Sequence, residues 1–147
     1  MKKFERPELT IGEMRRFTMV IWGRKGERIH DRFCDFNCRF FDSAIRPLPI
    51  LRAQSAPYGK WVGLCRGNSQ EGEVHAIYLA DPGEGTRLVA KQGTLLHEML
   101  HAFLMQNGEY PSHDGEPWRR EITRISEILG HPILALPTEV KKERGTR

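Results

Sequence analysis

Apolar residues recur along this chain at two intervals, and the change of interval marks its elements. From Leu9 to Trp22 they fall at helical spacing (Leu9, Met14, Phe17, Ile21). The end of that stretch, Val20-Ile21-Trp22, reads equally as a β-rich strand. Gly23 to Gly26 is a basic turn. From Glu27 to Ile45 the positions Ile29, Phe33, Phe36, Cys38, Phe40, Phe41 and Ala44 fit a helical period. Arg28, Arg32, Asp35, Arg39 and Asp42 lie opposite, so this is an amphipathic helix, ended by Pro47 and Pro49. Ile50–Gln54 and Lys60–Arg66 are expected as two strands around a Pro57-Tyr58-Gly59 turn. Glu73–Leu79 is a third strand. Gly67–Gly72 and Asp81–Thr86 carry turn and loop chemistry.

The second half returns to helical spacing. Arg87–Gln106 is expected as one helix, with no Gly or Pro from Thr94 to Asn107. Its apolar residues (Leu95, Leu96, Met99, Leu100, Ala102, Phe103, Leu104, Met105) cover most of the circumference, which marks a buried helix. Asn107-Gly108 is a C-terminal stop. Glu116–Leu129 is a further helix, with Pro117 in its first turn, an apolar stripe of Trp118, Ile122, Ile125 and Leu129, and Gly130 at its end. The order predicts an α+β fold: a small, mainly antiparallel sheet of about three strands packed on helices.

The buried helix carries His97-Glu98-Met99-Leu100-His101. Two imidazoles four positions apart share one helical face. That arrangement suits two ligands of a tetrahedral zinc, and Glu98 then projects about a quarter turn away, placed to take a proton from water at the metal. The chain has 6 His and 14 Glu, and HExxH is expected by chance about 0.02 times in it. Polar groups in so apolar a helix need partners, which a metal would supply. The bland alternative is a pair of satisfied core histidines beside a solvated glutamate.

Catalytic zinc takes three protein ligands and keeps one position open. His113, beyond the helix stop, is the leading third ligand. Asp114 and Glu116 are neighbours that could ligate or orient a ligand. Glu121 and Glu127 offer carboxylates from the next helix. Tyr110, His75 and Arg119 are the polar groups to examine as oxyanion stabilisers.

Thr94–Leu104 (TLLHEMLHAFL), followed by His113, Gly115, Trp118, Arg119 and Ile122, resembles the SprT-like zinc metalloprotease domain, the group that includes the Spartan proteases. The resemblance covers residues 27–130, and its specific part is 94–122. It implies a zincin-like minimal metalloprotease domain with the metal helix in the core under the sheet. It implies Zn2+ held by His97, His101 and His113, with Glu98 as catalytic base. The implied activity is an endopeptidase acting on proteins, including DNA-associated or DNA-crosslinked proteins, with a role in DNA repair and DNA as a partner. Two departures stand out. Asp114 separates the histidine from the glycine, and no cysteine follows Cys65, so the paired CxxC motifs of many such proteins are absent. The alternatives are a non-catalytic zinc-containing module that binds nucleic acid or protein, and another zinc hydrolase.

Charge divides the chain. Residues 1–60 carry 13 Lys and Arg against 7 Asp and Glu, and residues 61–136 carry 6 against 10. A basic part beside an acidic one suits nucleic acid or an acidic protein, or is simply a solvated face. The expected organisation is a basic segment packed on the domain (1–26), the metalloprotease-like domain (27–136) and a flexible charged tail (137–147). No apolar run is long enough for a membrane span or a signal peptide. Three cysteines, an odd number, argue for a reducing compartment. The expected location is cytoplasmic, with nucleoid association compatible. Cys34 and Cys38, four apart on a helix, could bind metal, but without a second pair they are expected as buried thiols, as is Cys65.

Overall fold

The structure, a computed structural model, describes residues 8–54, 63–81 and 92–130. The Pro57-Tyr58-Gly59 turn, the loop at 82–86, the first turns expected for the metal helix and the tail 137–147 lie outside the described residues. The elements are α1 (Ile11–Trp22), α2 (Arg24–Phe41), β1 (Ile50–Gln54), β2 (Gly63–Asn68), a 3-10 turn (Ser69–Glu71), β3 (Glu73–Asp81), α3 (Gln92–Gln106) and α4 (Glu116–Leu129). The class is α+β. Among the described residues no helix is long and apolar enough to cross a membrane.

The first two helices pack because glycine lets them. Thr10 and Glu13 close a reciprocal capping box that starts α1. Gly23, at φ +65°, breaks α1, and α2 begins at the next residue. Gly26 is therefore inside a helix and not in the expected turn. A Cβ there would meet the backbone of Thr18 and Met19, so the missing side chain lets α2 press on α1. Val20-Ile21-Trp22 is helical, which settles the helix-or-strand choice. Met14 and Trp22 are buried in the shared core, and Trp22 Nε1 donates to the Ile50 carbonyl at 3.0 Å, tying α1 to the sheet.

The buried face of α2 is Ile29, Phe33, Phe36, Phe40 and Phe41. The helix ends at Phe41, short of the expected Ile45. Asp42 and Ser43 take left-handed backbone angles, and the Ser43 amide donates to the Asn37 carbonyl. The Asn37 side chain holds the departing chain by two bonds to the Ile45 backbone, at 2.9 and 3.1 Å.

The sheet differs from expectation in order and direction. β1 and β2 do not pair. β3 lies between them, in the order β1-β3-β2, parallel to β1 and antiparallel to β2. The sheet is thus mixed rather than mainly antiparallel. The physical reason lies in β3 itself, whose Ala76, Ile77, Leu79 and Ala80 are all buried and make it the central strand. β2 and β3 form the hairpin, joined through the 3-10 turn. A register shift at Arg66/Gly67 bends β2, and Gly67 is needed where the Glu73 carbonyl comes against it.

α3 packs on β2 and β3 and is enclosed nearly all round. Leu95, Leu96, Met99, Leu100, Ala102 and Leu104 are buried, and so are Thr94, His97 and Glu98. Gly108, at φ +73°, stops it, with the Glu109 amide returning to the Leu104 carbonyl at 2.8 Å. α4 then lays Trp118, Ile122 and Ile125 against this assembly and ends at Gly130 in the left-handed region.

Candidate metal centre

The helical repeat of α3 sets two of the three histidines. His97 and His101 stand one turn apart, with Nε2 atoms 3.1 Å from each other. The loop after the Gly108 stop brings His113 over them, its Nε2 2.9 Å from that of His101 and 3.0 Å from that of His97. Burial falls from His97 through His101 to His113, which is exposed, so the cluster opens to solvent on the His113 side. Among the described residues these three form the one group of His, Cys, Asp or Glu able to share an ion.

Three imidazole nitrogens so placed cannot satisfy one another. Each Nε2 presents either a proton or a lone pair. Of three such atoms two must match, so at least one of the three contacts sets like against like. A cation among the three lone pairs removes that conflict at every contact. Three nitrogens bound at 2.0–2.1 Å to a tetrahedral ion stand about 3.3–3.4 Å apart. The triangle here is a few tenths of an ångström tighter, a difference that small ring rotations cover. The donor set therefore fits a metal ion.

Electrostatics agree. Burial first, and then the neighbouring His113, push His101 down to about 4, against a hydrogen bond to Pro111 that raises it. Pro111 has only a carbonyl to offer, so the ring donates to it. Such a bond to a backbone carbonyl fixes the tautomer of a ligating imidazole. His101 is consequently neutral, the state a metal needs, over the ordinary pH range.

Glu98 is 2 % exposed, next to His97 on the helix but directed to β2. A Cβ on Gly63 would stand 3.0 Å from Glu98 Oε2. Burial, and then the Glu98 carboxylate, push the Cys65 thiol well above its usual range. Glu98 therefore lies between the metal helix and the start of β2.

The remaining candidates separate from the triangle. Asp114 accepts from Ser112 Oγ at 2.7 Å, while its carbonyl accepts from Arg119 Nη1 at 3.0 Å. Glu116 is exposed, 3.5 Å from Arg119. Glu121 is buried between Arg120 Nε (2.9 Å) and Arg124 Nε (2.6 Å), which makes it a salt-bridge partner rather than a ligand. Glu127 is exposed on α4. Of the oxyanion candidates, Arg119 is tied to the His113 loop through Asp114, and Tyr110 lays its ring beside Gly115 in the same loop. His75 is exposed on β3 and faces Glu73 at 3.5 Å.

The cysteines need one correction. Cys65 is buried, but Cys34 is only half-buried, 3.5 Å from His30 Nε2, and Cys38 is exposed. The buried face of α2 runs through Phe33, Phe36, Asn37 and Phe40, which leaves Cys38 outside it.

Sequence reading missed three supports of the site. Trp118 packs its ring within 4.9 Å of each histidine ring. Gly63 makes room for Glu98. Arg120 grips Glu109 with two bonds, at 2.8 and 2.9 Å, clamping the His113 loop to α4. Of the three, only Trp118 gave a signal, in the apolar stripe of α4 and in the resemblance, and neither pointed to its contact with the histidines. Neither a scan against models of known protein families nor a search of curated proteins finds a match for this chain.

Proposed function

We propose that this chain is a zinc-dependent endopeptidase of SprT-like, zincin type. The observation that carries the reading is the Nε2 triangle of His97, His101 and His113, with sides of 2.9–3.1 Å, on the same helix turn as a buried glutamate. Three imidazoles without a carboxylate or thiolate favour zinc among the common divalent metals. Among the described residues three ligands, not four, meet here, which leaves room for solvent or substrate.

When bound, zinc would lower the pKa of a water toward ~7 and polarise the scissile carbonyl. The chain's own groups do the rest. His97, His101 and His113 hold the ion through their lone pairs. Glu98 accepts the proton of the attacking water and passes it to the departing amine. Its place in an apolar helix keeps its carboxylate from freely exchanging partners with bulk water. Arg119 and Tyr110 flank the loop of the third ligand, where a developing oxyanion could meet a donor.

The substrate class we assign is protein, including DNA-associated protein. The basic excess of residues 1–60 supports nucleic acid as the second partner. The test is cleavage of an unstructured protein by the parent chain, stripped with chelator and then restored with zinc. Activity that disappears and returns supports the reading; activity that survives complete stripping overturns it.

A further inference from the structure

Trp118 is 6 % exposed and sits in the first turn of α4, after Pro117 and the N-cap Gly115. Its ring centroid lies 4.5 Å from that of His101, 4.7 Å from His113 and 4.9 Å from His97. The His101 contact is stacked at 29°, and the other two are tilted at 51° and 58°. One apolar ring thus touches all three members of the polar cluster.

The three ligands are not equally secured. α3 fixes the spacing of His97 and His101, because both ride on one rigid helix. His113 comes from the Pro111–Gly115 turn, and its side chain is exposed. The indole spans the gap between the helix pair and the loop ligand. A flat ring laid against an imidazole blocks rotation of that imidazole about its last side-chain bond. An aliphatic chain of similar bulk would fill the space without that restriction.

We propose that Trp118 is a positioning residue for the metal, an aromatic floor that holds the three imidazoles in a metal-ready triangle before the ion arrives. The proposal deepens the zinc reading and rests on it. Its consequence is affinity gained by preorganisation, since ligands already in place lose less freedom on binding.

The test compares Trp118→Phe with Trp118→Met, which are similar in bulk and differ in having a ring. Zinc dissociation constants come from competition with a chromogenic chelator, and the ligand field from the visible spectrum of the Co2+-loaded protein. Trp118→Phe should bind zinc within about threefold of the parent, and Trp118→Met about 10–100-fold more weakly, the range for losing an outer support of metal ligands. The Co2+ bands should be kept in the first and shifted or weakened in the second. Ile122→Val trims the next buried turn of α4 and should change neither reading. Equal affinities and spectra in the two Trp118 variants, whether both parental or both weakened, reduce Trp118 to core filling and overturn the proposal. Should Trp118→Met not fold, the same readings on Trp118→Leu decide. If the parent takes up neither zinc nor cobalt, the metal reading itself fails and this proposal with it; if the parent binds and the variants match it, only the role of Trp118 is lost.

Discussion

The Glu98 side chain packs against the backbone of Gly63 so closely that a Cβ there would stand 3.0 Å from both its Cγ and its Oε2. The same Cβ would come 2.6 Å from Thr94 Cγ2. Strand β2 thus approaches the metal helix at a point where only glycine fits, and that approach sets the position of the proposed base.

Gly63→Ala should therefore separate metal binding from turnover. The added methyl displaces Glu98 or Thr94, and its three nearest atoms belong to those two side chains rather than to a histidine. Overpacking of this kind costs about 1–3 kcal/mol of stability. A misplaced base should lower kcat/KM roughly 100-fold, with zinc affinity little changed. Steady-state proteolysis and zinc content on one preparation check it; parental kcat/KM would show that this contact does not position the base.

The ligands should differ in what else they support. His97 is buried and His113 is exposed. Removing His113 as His113→Ala should weaken zinc by more than ~100-fold, beyond the loss of an outer support, while leaving the metal-free melting temperature close to parental. His97→Ala should lose zinc and also destabilise the metal-free fold by about 1–3 kcal/mol. Melting curves with and without zinc distinguish the two. A His113→Ala protein that holds zinc as tightly as the parent would remove His113 from the site.

The metal-free protein should lose stability in mild acid. Burial, with His113 next, holds folded His101 at about 4 against 6.5 when unfolded. Burial, with Arg15 next and Asp31 opposing, depresses His30 as well. Both groups are depressed on folding, so the unfolded chain binds more protons between the two values. Stability is full above pH 6.5 and falls as pH drops toward 4, by about 2–3 kcal/mol for His101, with His30 adding in the same direction. Urea unfolding of the stripped protein from pH 7.5 to 4.5 measures it. A flat profile, or one rising toward acid, would show that these rings are not held neutral by the fold.

Glu121 should prove structural. It is buried between Arg120 and Arg124, whereas Glu109 holds Arg120 in more open surroundings. Glu121→Ala strands part of a buried charge network and should cost about 2–4 kcal/mol, against no more than about 1 kcal/mol for Glu109→Ala. Zinc stoichiometry should be unchanged in Glu121→Gln. Loss of zinc in that variant would restore Glu121 as a ligand candidate.

How far the sequence spoke follows from the range of each interaction. His97 and His101 were legible because their relation is local, one helical turn. His113 and α4 were legible because a glycine stop, a proline and a glycine cap punctuate the chain around them. The sheet order was not, because the parallel pairing of β1 with β3 is a long-range choice, and strand character alone leaves it open. Gly26 read as a turn because a glycine needed for helix contact has the same letter as one needed for a bend. Glu121 read as a possible ligand because the two arginines that hold it looked like ordinary charges on an amphipathic helix. Gly63 carried no local mark, and Trp118 was marked only as an apolar residue of α4 and as part of the resemblance; their roles arise only when β2 and α4 close on α3.

In the proposed function, zinc held by the three histidines works with Glu98 to cut peptide bonds. The decisive experiment follows cleavage of one protein substrate by the parent and by Glu98→Gln, with zinc content determined on the same samples. One zinc per chain is expected in both, with cleavage at least ~100-fold slower in the variant. Equal cleavage at equal zinc content, or a parent that cleaves without zinc, would overturn the pairing of zinc with Glu98.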